Sequence, residues 1–224
     1  MANNKTSWDQ SLNTTHISDY STYYEAARNS FFVFYVDPSE LTNLYSPDVD
    51  PDGTNPGNSK NDIEAGKLFD GGVASEALRL NVTKASVPNF TISTHSYRRG
   101  NDVVKFAGVP EFKDGSITVD DVVGMRTKDI LYAWQYLAYN PHTRKGGRMK
   151  DYKKTCTLIE YTQDYEQIRY WTLYGCFVTA VEDGDFDREN DGKRQLTAQI
   201  SYDRAIMTVV KSDIDYLTKV DNKR

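Results

Sequence analysis

The segment 195–202 most constrains the fold, because apolar and polar residues alternate along it without a break. Its apolar members are Leu196, Ala198, Ile200 and Tyr202, and its polar members are Gln195, Thr197, Gln199 and Ser201. Successive side chains of a β-strand point to opposite faces of the sheet. The period of two therefore predicts a strand with one buried and one exposed face, and such a strand requires partner strands.

Other segments supply candidates for those partners. Each is a short apolar run or an alternating pattern of β-favouring residues, and together they are 31–36, 78–82, 116–119, 155–161 and 168–181. The last two are predicted to form a hairpin around residues 163–166. A further polar, hairpin-like segment runs from Pro88 to Gly108.

One helix is predicted over residues 127–139. Its apolar residues Ile130, Leu131, Trp134, Leu137 and Ala138 form a single stripe at helical spacing. The Asn140-Pro141 pair that follows ends the helix. Many strands with one helix predict a mainly β fold, an antiparallel β-barrel or sandwich flanked by one α-helix.

The domain organisation follows from changes in composition along the chain. Residues 38–77 contain four of the seven prolines and many glycines and aspartates, which predicts a long loop insertion on the outer surface or at a boundary between assembled copies. We predict an N-terminal arm at 1–30, one β domain at 31–206 that carries this insertion, and a C-terminal extension at 207–224.

Charge and hydropathy narrow the functional class. The net charge is -5, and the pI of about 5.3 argues against a protein that grips nucleic acid, which normally needs a basic face. The mean hydropathy is -0.66, and no apolar run is long enough to cross a membrane. The first residues lead into polar sequence, so we expect no signal peptide. We therefore expect a soluble protein made in a cytoplasm, with Cys156 and Cys176 as reduced, buried thiols.

Four patterns were weighed as sites of chemistry. Asp48, Asp50, Asp52 and Gly53 resemble the opening of a calcium loop, but Ser59 replaces the glutamate that such a loop requires. The acidic run 182–191 is better explained as a solvated turn between strands, and the basic run 144–154 as a charged loop after a helix. His16, His95 and His142 are far apart in the sequence. We expect no catalytic residues, no metal and no cofactor, and we interpret Trp134 and Trp171 as core anchors.

An ordered set of segments resembles the tail tube protein family of contractile-tailed bacteriophages, the myovirus inner tail tube. The set comprises Val87-Pro88, the hairpin segment up to Gly108, Trp134-Gln135, Tyr152-Lys153-Lys154, Trp171 to Cys176, and the strand Leu196 to Tyr202. The specificity of the resemblance lies in this order, since none of the segments is diagnostic by itself.

The resemblance implies a structural subunit of a phage tail tube rather than an enzyme. In this family, subunits form six-membered rings whose neighbours pair strands edge to edge, and the rings stack into a tube inside a sheath. The implied partners are therefore further copies of the chain, the tail sheath, the baseplate and tube-terminating proteins. Genome DNA passes through the tube without specific binding. The implied location is the tail of the virion, assembled in the bacterial host cytoplasm.

Candidate assembly residues fall into two groups. The resemblance favours a projecting hairpin that docks on the adjacent ring through Phe90, Ile92, Tyr97, Val103, Val104 and Phe106. We also expect contacts between neighbouring subunits that pair the basic residues Arg144, Lys145, Arg148 and Lys150 with the acidic residues Asp183, Asp185, Asp187 and Glu189.

Two other classes of function are open from sequence. One is a related component, such as a tube-like baseplate protein, a tube terminator or part of a bacterial injection system. The other is an unrelated β-sandwich enzyme or binding module. Assembly into rings or tubes separates the second class from a tube subunit, whereas the first differs from it only in copy number along the particle.

Overall fold

The strands and helices are known for most of the predicted β domain. The computed structural model describes residues 28–42, 44, 70–162, 165–184, 186 and 192–210. The strands in these residues are β1 (Phe32–Val36), β2 (Val82–Ala85), β3 (Phe90–Arg99), β4 (Asp102–Phe112), β5 (Gly115–Asp120), β6 (Tyr139–Asn140), β7 (Lys145–Gly146), β8 (Lys154–Tyr161), β9 (Gln167–Asp183), β10 (Gln195–Ser201) and β11 (Arg204–Val209). The helices are α1 (Gly71–Asn81), α2 (Thr127–Ala138) and the short α3 (Met149–Tyr152), with a 3-10 turn at Pro38–Leu41.

Seven of these strands form one antiparallel sheet. Its order is β1-β8-β9-β10-β5-β2, and β11 joins it by pairing with β9. The hairpin β3–β4 and the short ribbon β6–β7 pair only within themselves in the described residues. The mainly β, antiparallel fold predicted from the sequence is confirmed. Within the described residues the sheet does not close into a barrel and is instead sandwich-like.

The long strand β9 holds the two parts of the sheet together. Its first part pairs with β8 on one side and β11 on the other, and its last part pairs with β10. Gly175 lies at the change of partners, with a φ of 67° that L-residues with a side chain rarely adopt. A Cβ at this position would lie 2.2 Å from Oδ2 of Asp203, which itself follows the end of β10. The corner therefore requires glycine.

The core lies between the sheet and the helices α1 and α2. The side chain of Trp134 is fully buried, and its indole N–H donates a hydrogen bond of 2.9 Å to the carbonyl oxygen of Tyr152. From α1, Ala74, Ala77 and Leu78 are buried against β1 and the 3-10 turn. The strand predicted at 31–36 is confirmed as β1, and the helix predicted at 127–139 is confirmed as α2.

The prediction of a strand at 78–82 is wrong for all but its last residue. Residues 71–81 form α1, and β2 begins only at Val82. Ala74, Leu78 and Asn81 lie at helical spacing and are buried, whereas Leu80 is 54% exposed. The apparent alternation of Leu78, Leu80 and Val82 arose because a helix end meets a strand start. The described residues thus contain two core helices, α1 and α2, where the sequence predicted one.

Both ends of the predicted 38–77 loop insertion also require correction. Leu41 and Leu44 are fully buried, and Ser75 in α1 donates a hydrogen bond of 2.5 Å to the carbonyl oxygen of Val36. These ends therefore belong to the core and not to the outer surface. The middle of the insertion, including the calcium-like motif, lies outside the described residues. So do most of the arm at 1–30 and residues 211–224, and β11 extends past the boundary set at residue 206.

The first prediction concerns the glycine corner of β9. Gly175→Ala should lower the free energy of unfolding by about 2 kcal/mol or more, because it adds a Cβ at a left-handed φ and against Asp203. Urea denaturation followed by circular dichroism measures this change. Gly124→Ala is the control, since a Cβ there meets nothing within 4 Å. Equal stability of the two variants would contradict the assignment.

Candidate assembly surfaces

The β3–β4 hairpin is the most exposed regular structure in the described residues. Every residue of β3 is exposed, and in β4 only Gly108 and Phe112 are partly covered. A two-stranded hairpin without support is at best marginally stable in water. Its surroundings in one subunit therefore do not account for its apolar composition.

The predicted docking residues all lie on this hairpin with large exposed fractions. These fractions range from 40% to 65% for Phe90, Ile92, Tyr97, Val103, Val104 and Phe106. Exposed apolar side chains grouped on one element mark interaction sites in folded proteins. Beyond its foot at Phe112, every hairpin residue except Gly108 is exposed in the part of the chain that the structure describes.

The foot of the hairpin is fixed to the body through aromatic contacts. The ring centroids of Phe90 and Phe112 lie 5.4 Å apart, and Phe112 in turn lies 6.3 Å from Tyr202 at the end of β10. A backbone hydrogen bond of 3.1 Å from Lys113 to Asn89 closes the base. Phe112 was not among the residues predicted to act in assembly. A strand extended past Gly108 would have included it.

A second surface lies where the sheet stays open. Strands β1 and β2 end the strand order, and each has one partner strand in the described residues. A cleft of about 410 Å³ separates them and is lined by Phe32, Ala85, Leu158 and Trp171 among others. Trp171 is thus half-buried at this seam, whereas Trp134 is the core anchor that the sequence predicted.

The basic loop is exposed as expected, although not over its full length. Arg144, Lys145, Arg148 and Lys150 are all exposed on the β6–β7 ribbon and the start of α3. The two lysines that follow differ from them: Lys153 forms an ion pair of 2.7 Å with Asp203, and Lys154 is only 5% exposed. The basic surface therefore consists of the four residues named first.

Asp183 is not available for a neighbouring subunit, and this part of the charge expectation requires correction. Its Oδ2 accepts a hydrogen bond from Lys128 of α2. Its Oδ1 accepts hydrogen bonds from Arg194, of which the one from Nε is 3.0 Å long. Both oxygens thus serve the subunit's own fold. The other acidic candidates, Asp185, Asp187 and Glu189, lie outside the described residues.

The electrostatic balance at Asp183 is favourable to its charged form. Burial raises the pKa of Asp183, but the hydrogen bonds from Arg194 and Lys128 outweigh burial, and the pKa lies below its usual value. The guanidinium of Arg194 also lies 3.9 Å from the ring centroid of Phe186. This cluster joins α2 to the loop between β9 and β10.

The cysteines and Lys154 are buried, and the two described histidines are exposed. Cys156 and Cys176 are free, fully buried thiols, as expected. Burial raises the pKa of Cys156 well above its usual value, as does a hydrogen bond with Cys176, so the nucleophilic thiolate is disfavoured. Burial lowers the pKa of Lys154. His95 and His142 are exposed, on the hairpin and after β6 respectively.

The residues that the structure describes contain no group of three or more His, Cys, Asp or Glu side chains placed to hold a metal ion. None of the helices described here has the length and apolar character required to cross a membrane.

The chain is similar to known tube proteins. The family model of the T4-like virus tail tube protein gp19 matches residues 73–205, more than half of the chain. A comparison with curated proteins gives no match.

Solved structures also share the fold. A chain in the cryo-EM structure of an extracellular contractile injection system, the PVC sheath-tube complex in its extended state, is 15% identical with a TM-score of 0.54. That match covers 89% of this chain and 99% of the other. A chain of the anti-feeding prophage tube terminating cap is 13% identical with a TM-score of 0.55, covering 83% of this chain and 93% of the other.

The exposed hairpin, the open sheet and these matches define a protein of tube architecture. The chain belongs to the T4-like virus tail tube protein family. It is a structural subunit of the tail tube of a contractile system, as the resemblance in its sequence implied.

The second prediction tests the cluster around Asp183. Asp183→Asn should lower the free energy of unfolding by roughly 1–3 kcal/mol at neutral pH, because it weakens charged hydrogen bonds to Lys128 and Arg194. The pKa of Asp183 is lowered by folding, so its contribution is present above the unfolded pKa of about 3.9 and is lost as pH falls through the folded value.

Denaturant titrations at several pH values measure this effect, and the gap between wild type and variant should shrink in acid. The control is Glu76→Gln, which removes an exposed ion pair within α1 and should change stability by less than about 1 kcal/mol. A gap that is constant down to the acid limit would refute the role given to Asp183.

Proposed function

We propose that the protein assembles as hexameric rings that stack into the tail tube of a bacteriophage, and that genome DNA leaves through the bore. The observation that carries this proposal is the β3–β4 hairpin, whose apolar side chains other than Phe112 are exposed in the part of the chain that the structure describes. A protein built to repeat along a tube supplies that cover with a further copy of itself. Docking of the hairpin on the adjacent ring orders it and joins the rings.

Lateral contacts within a ring use the edges of the open sheet. In the described residues, no further strand pairs with the outer edges of β1, β2 and β11. Such edges otherwise act as templates for aggregation, and pairing them around a closed ring satisfies their hydrogen bonds. Ile206, Met207 and Val209 of β11 are also 40% to 53% exposed, which suits a surface covered by a neighbour.

Passage of DNA requires a wall to which DNA does not adhere. The net charge of -5 supports this role, because like charges repel and no counterion is released when a phosphate meets an acidic surface. We propose that DNA is in transit only, without specific binding and without catalysis by the subunit.

The partners of the tube follow from its place in a particle. The matched chains come from a sheath-tube complex and from a tube terminating cap. We propose corresponding contacts with a tail sheath, a baseplate and a terminating protein. The subunit would then be made in the host cytoplasm and carried in the virion tail.

The basic surface is a candidate for contacts between subunits. Arg144, Lys145, Arg148 and Lys150 form an exposed group in a chain whose net charge is negative. We propose that they face acidic residues of a neighbouring subunit. Asp185, Asp187 and Glu189 remain candidates, whereas Asp183 is already bonded within its own subunit.

A tube terminator is the second candidate function. The chain of the tube terminating cap matches this fold with a TM-score of 0.55, and that of the sheath-tube complex with 0.54. Assembly of the purified protein into rings or tubes distinguishes the two functions. A tube subunit adds ring upon ring, whereas a terminator stops after one layer.

The third prediction tests the docking role of the hairpin. The double variant Phe90→Ala, Phe106→Ala should fold and remain soluble but form no tubes, because it removes apolar contact area that the hairpin buries against other copies of the chain. Electron microscopy and sedimentation measure tube formation, and circular dichroism measures folding. Val123→Ala, at a residue 90% exposed in a turn away from the hairpin, is the control. Global unfolding of the double variant, or normal tube growth from it, would contradict the proposal.

The fourth prediction tests the basic surface. Arg148→Glu with Lys150→Glu should slow tube assembly at low salt, and the difference from wild type should diminish at high salt because exposed charges are screened. Light scattering over time gives the assembly rate. Lys193→Glu, at a side chain 84% exposed outside this surface, is the control. A wild-type rate that is independent of salt would count against the charge contacts.

A further inference from the structure

An irregularity in the β3–β4 ladder divides the hairpin into two parts. From the foot, Phe90 pairs with Phe112 and Ile92 with Pro110, but the register shifts between Ile92 and Thr94. Beyond the shift, Thr94 pairs with Ala107. One extra residue of β4 is therefore accommodated near Gly108 and Val109, as in a β-bulge.

The bulge exchanges the two faces of β4. Residues of β4 with even numbers lie on one face before the bulge and on the other face after it. Residues directly opposite each other in an antiparallel pair share a face. At the foot, Phe90, Ile92, Pro110 and Phe112 lie on one face by this rule. Because β3 continues its alternation while β4 has gained a residue, the even-numbered residues of β4 beyond the bulge lie on the opposite face.

Three apolar side chains beyond the bulge, those of Tyr97, Val104 and Phe106, therefore form a separate group, whereas Val103 pairs with Arg98 and stays on the face of Phe90 and Ile92. His95 pairs with Phe106 and Tyr97 with Val104, so these four residues share the face opposite to Phe90 and Ile92. Contacts agree with this assignment. A Cβ on Gly108 would lie 2.3 Å from Oγ of Ser93 and 2.9 Å from Nε2 of His95, which places Gly108 on the His95 face.

The foot patch consists of Phe90, Ile92, Pro110 and Phe112, and the tip patch consists of Tyr97, Val104 and Phe106. At about 3.3 Å per residue, Tyr97 lies roughly 23 Å further along the strand than Phe90. The foot patch adjoins the subunit's own body through the contact of Phe112 with Tyr202, whereas the tip patch lies far along the arm.

We propose that the hairpin joins two different copies of the chain, with the foot patch on a neighbour in the same ring and the tip patch on a subunit of the next ring. This inference rests on the proposed function. One flat partner surface covers only one face of a two-stranded ribbon, so it leaves the other patch in water. The foot patch is continuous with the body and is covered by a lateral neighbour, while only the tip patch extends far enough to reach another layer.

The side chains around the tip fit a partner of opposite charge. Arg98, Arg99 and Lys105 are exposed near the turn, and Asp102 is the acidic residue among them. The chain as a whole carries a net charge of -5, so a second copy offers an acidic surface to this basic tip. Apolar contact and charge thus both select a further copy as the occupant.

Two matched variants separate the two contacts. The foot variant is Phe90→Ser with Ile92→Ser, and the tip variant is Val104→Ser with Phe106→Ser. Each removes one phenylalanine and one β-branched residue from exposed positions. Size-exclusion chromatography with light scattering gives the oligomeric state, and electron microscopy detects rings and tubes. The tip variant should form rings but at least roughly tenfold fewer tubes, and the foot variant should remain monomeric.

Photo-crosslinking gives a second measurement that does not depend on folding of the variants. A benzophenone amino acid replaces Ile92 or Tyr97 in the otherwise unchanged chain, and mass spectrometry identifies the crosslinked peptides of the other copy. We expect different target segments for the two positions. In a preparation limited to single rings, only the crosslink from position 92 should persist.

The outcomes are distinguishable. Loss of the same assembly step in both variants, the reverse order of defects, or crosslinks from both positions to one segment would overturn the two-copy arrangement while leaving the tube function intact. Failure of the wild-type chain to form either rings or tubes would instead overturn the proposed function.

Discussion

The packing of α2 across the last part of β9 is the interaction on which the rest of the structure depends. Trp134 fills the core from this helix, and its indole N–H also bonds Tyr152 in α3. Gln135 donates a hydrogen bond of 3.0 Å to the carbonyl oxygen of Thr179 in the last part of β9. Lys128 bonds Asp183 at the end of the strand. Because side chains of the helix bond β9 at two levels, the helix fixes the strand that both parts of the sheet share. The hairpin foot at Tyr202 is positioned by the same sheet.

Much of this arrangement was predictable from residue patterns, because the patterns there reflect burial on one face. The alternation in 195–202 identified β10, and the stripe containing Trp134 identified α2. The pattern failed at α1, where Leu78, Leu80 and Val82 alternate across the junction of a helix with a strand. A short stretch of sequence does not show the long-range packing of Ala74 and Leu78. That packing decides between a helix and a strand at this point.

The assembly surfaces were predictable in composition but not in geometry. The hairpin and its apolar residues could be identified from sequence, whereas the bulge near Gly108 depends on the register between two strands. Asp183 shows a related limit. An acidic residue in an acidic run was expected to be exposed and free for a neighbour, but Lys128, 55 residues away in sequence, and Arg194, 11 residues away, occupy both of its oxygens. Charge patterns indicate how many charged groups a loop carries, and only the fold determines which of them are already paired.

The length of β9 has a mechanical consequence. Its 17 residues continue past the Gly175 corner, so one covalent strand passes from the β8–β11 region into the β10 region. A load pulling along β9 would shear the hydrogen bonds of its ladders together rather than open them one after another. Resistance of that kind grows with the number of bonds loaded in parallel. A subunit in a contracting particle would thus transmit force through its backbone, and the corner would set the direction in which that force leaves.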